Sequence, residues 1–217
     1  NYEYGQSAVE NFKAALKELR PDVEFVGEQW PALGKIEAGV TVQALLRERP
    51  DAIYNVTFGA DLAKFVREGS LRGLFDDRSV VSLLTGEPEY LLPLGAEAPE
   101  GWIVTGYPFD QIDTPEHDKF AEAYRASFNE EPMVGSIVGY TTMKSIAAAL
   151  DKAGSTDAGA IIEALSGLEV DSPFGPIVYR SADHQSTLGA FVGRTAVVDG
   201  QPRMVDWHYA KGGDYLP

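Results

Sequence analysis

With 217 residues, 44% of them hydrophobic, the chain has material for one large domain or two small ones. Its 33 acidic against 18 basic residues give a formal net charge of −15, so the basic footprint that neutralises phosphates is missing and no nucleic-acid partner is expected. The absence of cysteine excludes thiol nucleophiles, thiolate metal sites and disulfides, and no run of about 18 apolar residues offers a membrane span.

In chain order, Ala8, Val9, Phe12, Leu16 and Leu19 fall at helical spacing, and Pro21 stops that helix. Val23, Phe25 and Val26 read as a short strand. Val40, Val42, Leu45 and Leu46 read as a second helix closed by Pro50. Residues 52–56 form an apolar run without alternation, as expected of a strand buried on both faces. A helix over residues 61–68 and strands over 80–84 and 102–105 follow. Strands alternating with helices indicate βαβ units, hence an α/β fold with a parallel sheet and helices on both faces. Such a unit opens with a strand, whereas this chain opens on a helix, so the first strand is expected upstream of Asn1.

The second half changes character. Phe120, Tyr124 and Phe128 mark one helix, and Ile137, Tyr140, Met143, Ile146, Ala147 and Leu150 a longer one. Gly154 ends it. Ser155 or Thr156 is placed to cap the next helix, with Ile161, Ile162 and Leu165 facing inward. After Pro176 the pattern turns to β over 177–179, 188–198 and 203–209, with Asp199-Gly200 as a hairpin turn.

No GxGxxG, P-loop, HExxH, GxSxG or EF-hand spacing occurs, and no cofactor or metal is expected. His117 sits among Asp110, Asp113, Glu116 and Asp118, which reads as a solvated acidic loop because Thr114-Pro115-Glu116 has the form of a helix N-terminus. Asp183-His184 are adjacent in a β pattern and so face opposite ways. Asp206 and His208 share a face and read as surface residues. Asn55-Val56-Thr57 matches a glycosylation triplet by chance in a buried strand.

In open α/β sheets ligands bind at the C-terminal ends of the strands. Those ends are Thr57-Phe58-Gly59, Leu84-Thr85-Gly86 and Gly106-Tyr107-Pro108. Tyr4, Phe58 and Tyr107 would project near that rim, where aromatic rings enclose a small ligand and phenol hydroxyls orient it. Thr85 lies on the same rim. Glu87, separated from Glu89 by Pro88, is the carboxylate candidate.

Several short segments are similar to one family. Tyr4-Gly5-Gln6-Ser7 precedes an amphipathic helix. Leu45-Leu46 leads through Arg49-Pro50-Asp51-Ala52-Ile53-Tyr54, and Ala98-Pro99-Glu100-Gly101-Trp102 enters the next strand. Gly139-Tyr140, Gly154-Ser155-Thr156-Asp157 and Phe174-Gly175-Pro176 complete the series. In order and spacing they resemble the type I periplasmic solute-binding proteins, the branched-chain amino acid receptor family of ABC transporters.

That resemblance implies two α/β lobes closing by a hinge around a small-molecule solute. Residues 1–133 would form lobe two, 134–186 the C-terminal part of lobe one, and 187–217 strands returning to lobe two. It implies a non-enzymatic, periplasmic transport component that docks on an ABC transporter permease. The helices after residue 134 would be covered by a missing N-terminal lobe-one segment or by another chain. Tyr4 matches a tyrosine lining the family's cleft, and Phe58 falls where amino acid receptors carry another. The family's ammonium-binding acid falls near Leu84 or Thr85, a departure unless Glu87 reaches back. The solute is therefore left as an amino acid, an amide or an aromatic acid. A sensor domain of the same fold and an α/β hydrolase using Glu87 or His117 remain alternatives at this point.

Overall fold

The structure, a computed structural model, describes residues 1–216. Along the chain run α1 (Glu3–Leu19), α2 (Ala38–Glu48), β1 (Ala52–Asn55), α3 (Gly59–Leu71), β2 (Ser79–Gly86), α4 (Pro88–Leu91), β3 (Ile103–Gly106), α5 (Pro115–Phe128), α6 (Val134–Ala153), α7 (Ala158–Leu165), β4 (Glu169–Ser172), β5 (Gly175–Val178), β6 (Ala190–Val198) and β7 (Gln201–Ala210). They separate into two units, one of Asn1–Gly106 with Gly193–Trp207, the other of Tyr107–Val192 with the segment from His208.

In the first unit β1, β2 and β3 pair in parallel, joined by helical crossovers. The five-stranded order is β1-β2-β3-β6-β7. The expected parallel α/β sheet is therefore present, with β6 and β7 added as a hairpin. Asp199 and Gly200 form its turn, and both adopt positive φ (52° and 76°), as a tight two-residue connection requires. Leu62, Phe65 and Val66 of α3, Val42 of α2, Val80 of β2 and Val104 of β3 are buried. The Asp61 carboxylate accepts the backbone N–H groups of Gly34 (2.7 Å) and Ile36 (3.3 Å), which fastens the loop before α2 to α3.

Two expectations are corrected here. Val23–Val26 is not a strand: residues 20–37 carry no helix or strand, because among the described residues no strand forms a ladder with the segment. β1 is not buried on both faces. Ile53 and Asn55 on one face are buried, while on the other Ala52 is exposed and Tyr54 is half-buried against the Phe12 ring.

The β2–β3 register holds at Val81↔Ile103 and Ser82↔Val104, then resumes at Gly86↔Gly106. Two extra residues of β2 bulge out between these points, and Leu84 there takes φ 65°. Where the ladder resumes the backbones nearly touch. A Cβ on Gly106 would lie 2.2 Å from the Gly86 carbonyl, so only glycine fits.

In the second unit, Thr114 caps α5 by accepting the His117 N–H (3.3 Å), with Pro115 in the first turn. Phe120 of α5 packs on Tyr140 of α6 with centroids 4.9 Å apart. Gly154 ends α6 in the left-handed region. Asp157, rather than Ser155 or Thr156, caps α7, since its carboxylate reaches the Ala160 N–H at 3.0 Å. Ala149, Leu168, Val170 and Ile177 form a core with Ile161 and Leu165 against it, but Ile162 points outward, 54% exposed. β4 and β5 form an antiparallel hairpin, of which the sequence showed only the second strand. A second cluster joins Tyr107, Phe174, Phe191 and Tyr209. Val138, Tyr140, Met143 and Ile146 leave an apolar stripe of α6 exposed. Asp183 and His184 lie in an exposed turn, not a strand. Among the described residues no helix is long and apolar enough to cross a membrane.

Candidate functional site

The C-terminal ends of β1 and β2 are set by a buried polar chain. The Asn55 amide donates to Ser82 Oγ (2.7 Å), which shares a hydrogen bond with Thr85 Oγ1 (2.6 Å). The Thr57 N–H and hydroxyl both donate to Asn55 Oδ1 at 3.2 and 2.8 Å. Asn55, Ser82 and Thr85 are buried and, with the part-buried Thr57, satisfy one another's hydrogen bonds, which fixes the strand ends in place. Asn55 is thus committed to the interior.

Above this floor stands an aromatic rim. Phe58 leaves β1 extended and starts α3. Tyr4, in the first turn of α1, meets it edge-on, with centroids 6.3 Å apart and planes at 77°. Tyr90 of α4 lies 6.2 Å from Phe58 on another side, and Tyr2 lies 6.0 Å from Tyr4. All four rings keep accessible surface. Edge-on and offset contacts of this kind hold rings in place while leaving faces to stack on a ligand.

Glu87 enters from the bulge. Its N–H bonds to the Leu84 carbonyl (2.9 Å), and its own carbonyl takes the N–H groups of Tyr90 and Leu91. Burial, then the nearby Glu89 charge, pushes the Glu87 carboxyl up to about 7. Burial, then Tyr2, Glu87 and Tyr90, raises the Tyr4 phenol, and burial first also raises Tyr90. At neutral pH the phenols are donors, and the carboxyl passes between donor and anion.

The five sequence candidates therefore part company. Tyr4, Phe58 and Glu87 come together on one rim. Thr85 is wholly buried beneath it, its hydroxyl bonded to Ser82. Tyr107 belongs to the second unit, 2% exposed, its hydroxyl sharing a 2.7 Å hydrogen bond with His117 Nε2. His117 is likewise buried rather than part of a solvated loop, and burial pushes its imidazole down. The pattern of acids around it hid this, because those acids face water while the ring turns inward. Among the described residues no cluster of three or more His, Cys, Asp or Glu is placed to hold a metal.

Sequence reasoning missed Tyr2, Tyr90 and the Leu84 bulge. Pro88 directly after Glu87 was the available signal for Tyr90, because a helix starting at proline carries Tyr90 back over Glu87 within one turn. The bulge had no signal, since leucine is not a residue that ordinarily takes positive φ.

Comparison with known proteins gives one family model, described as periplasmic binding protein, which matches residues 1–201. Among solved structures, a leucine-, isoleucine-, valine-, threonine- and alanine-binding protein from Brucella ovis is 22% identical with TM-score 0.81, covering 100% of this chain and 57% of its own. A solute-binding protein of an ABC transporter from Rhodopseudomonas palustris HaA2, in complex with p-hydroxybenzoic acid, is 20% identical with TM-score 0.81, covering 97% and 59%. An amino acid ABC transporter substrate-binding protein from Pseudomonas fluorescens Pf-5 is 20% identical with TM-score 0.79, covering 97% and 57%. The shared fold is clear, and the chain spans less than three fifths of each of these structures.

Proposed function

The chain belongs to the periplasmic binding protein family, and from that premise we propose that it is part of a non-enzymatic, extracytoplasmic solute receptor serving an ABC importer. Its solute is a small polar organic molecule, held against the rim of Tyr4, Phe58, Tyr90 and Glu87. The observation that carries this reading is the rim itself. Half-buried aromatic rings stand above a hydrogen-bonded polar floor at the C-terminal edge of parallel strands, beside one carboxyl that titrates near neutrality.

The rim supports binding rather than turnover. Its hydroxyls are phenols held protonated, and the alcohols below them are spent on one another. The solute classes named for the similar structures, aliphatic amino acids and a hydroxybenzoic acid, both offer an apolar body with a polar end. Such a molecule stacks its body on Phe58 and Tyr4 and directs its polar end to Glu87 and the phenols.

Calorimetric titration with branched-chain amino acids, benzoic and hydroxybenzoic acids tests the proposal. Saturable binding of one of these at micromolar affinity, weakened in Tyr4→Ala and Phe58→Ala, is the expected result. Equal affinity in both variants overturns the site, and turnover of a bound compound overturns the receptor reading.

A further inference from the structure

A pocket of about 340 Å³ opens at the N-terminal ends of β2 and β3, the edge of the sheet opposite the rim. It lies wholly within the first unit. Phe75 and Trp102 give it an apolar wall, their rings edge-on with centroids 4.7 Å apart. Four charged side chains share the lining: Asp76 and Arg78 from the turn before β2, Glu100 from the loop before β3, and Arg194 from β6.

Main-chain carbonyls hold both arginines. Arg78 donates through Nε to the Pro50 carbonyl (3.0 Å) and through Nη1 to those of Leu74 (3.0 Å) and Asp76 (3.2 Å). Arg194 donates through Nη1 to the Gly101 carbonyl (2.9 Å). These bonds orient the guanidinium groups without neutralising them, and among the described residues Nη2 of each makes no bond. Arg20, Arg67, Arg72, Arg125 and Arg180 each lie against a carboxylate. Among the described residues Arg78 and Arg194 have no such partner, although Asp76 and Glu100 line the same pocket. Asp76 is instead folded over Gly73, where a Cβ would lie 2.7 Å from its Oδ2. With 33 acidic residues against 18 basic ones, carboxylates are not scarce, so the separation reflects how the backbone bonds hold the two arginines.

We propose that this pocket binds a small zwitterion, its carboxylate on Arg78 and Arg194 and its ammonium on Asp76 and Glu100. A guanidinium with unused N–H groups takes a carboxylate through charge-assisted hydrogen bonds, and an orientation fixed beforehand lowers the ordering cost. A ligand with a carboxylate alone meets the repulsion of two acids, and one with an ammonium alone that of two arginines. Only a molecule bearing both charges complements all four side chains. The volume stands at the lower end for small-molecule pockets, which begin near about 300 Å³, and Phe75 offers apolar contact to the carbons between the charges. The pocket shares no residue with the rim and does not depend on the solute reading.

Nitrogen-15 NMR that resolves the Nε–H signals of Arg78 and Arg194 and the Trp102 indole tests the proposal, with glycine, β-alanine and 4-aminobutyrate as probes. One of these should move all three signals saturably, and butyrate and butylamine should bind at least tenfold more weakly than it does. Arg194→Gln should weaken the zwitterion at least tenfold, and Glu100→Gln should weaken it without weakening butyrate. Arg78→Gln also removes three backbone ties, so the other two variants carry the test if it does not fold. Saturation by none of the three probes, equal affinity for butyrate, or unchanged binding in Arg194→Gln overturns the proposal. Shifts confined to the signals of Tyr4 and Phe58 also overturn it, because they place the bound zwitterion at the rim.

Discussion

Glu87 gives the most direct test of the rim's electrostatics. Burial and Glu89 raise its carboxyl from 4.5 to about 7, so the fold holds a proton that the unfolded chain has released throughout that interval. Stability must therefore fall as pH rises from about 4.5 to about 7, and stay at the lower level above it. At 1.36 kcal/mol per pH unit the shift caps the effect at about 3 kcal/mol. Solvent screening of a half-buried carboxyl reduces this to about 1–2 kcal/mol, roughly 2–8 °C in a protein of this size. Thermal melts at pH 5 and pH 8 of the wild type and of Glu87→Gln measure it. The wild type should lose more on going to pH 8, by that margin. His117, whose pKa is depressed, contributes with the opposite sign, but it does so equally in both proteins. Asp22, lowered to about 2 by Arg20, titrates below the window. Parallel melting shifts in the two proteins would refute the buried-carboxyl account.

Removing either aromatic face, in Tyr4→Ala or Phe58→Ala, should weaken solute binding by about 1–3 kcal/mol, roughly 10- to 100-fold in Kd by calorimetry. Affinity for an aromatic acid should fall as pH rises through 7, because ionised Glu87 repels a carboxylate, whereas affinity for an ammonium solute should rise; titrations at pH 6 and 8 distinguish them. Gly106→Ala should cost about 3 kcal/mol in urea unfolding, since its methyl meets the Gly86 carbonyl at 2.2 Å. Asp157→Ala should cost about 1 kcal/mol by removing the α7 cap, and Asp157→Asn should restore most of it.

Much of the first unit was legible because its signals are local. Pro50 after α2, the apolar runs of β1 and β2 and Asp199-Gly200 each act within a few residues, and the structure follows them. The failures share a different cause. Val23–Val26 has strand chemistry but no neighbour to pair with, and pairing is not written in the segment itself. Ile162 has core chemistry but sits on a helix whose inward face is taken by Ile161 and Leu165. His117 was read from its charged neighbours, whereas its environment is set by Tyr107, ten residues earlier.

The proposed rim was legible only where it follows from strand ends. Tyr4 and Phe58 follow from the rule that parallel strands offer their C-terminal ends, because each lies beside such an end in sequence or in its crossover. Thr85 satisfied that rule equally and is nonetheless buried, since the bulge at Leu84 changes which residues of β2 face outward. Thr85 bonds to Ser82 below, and Glu87 is the N-cap residue of α4, near Tyr4 and Tyr90. The carboxyl's elevated pKa comes from its burial and from the neighbouring Glu89 charge, neither of which the spacing of Glu87, Pro88 and Glu89 reveals. An insertion or deletion in residues 83–85 should disturb solute binding, read by calorimetry, more than a conservative substitution of Thr85, which is buried and bonded to Ser82.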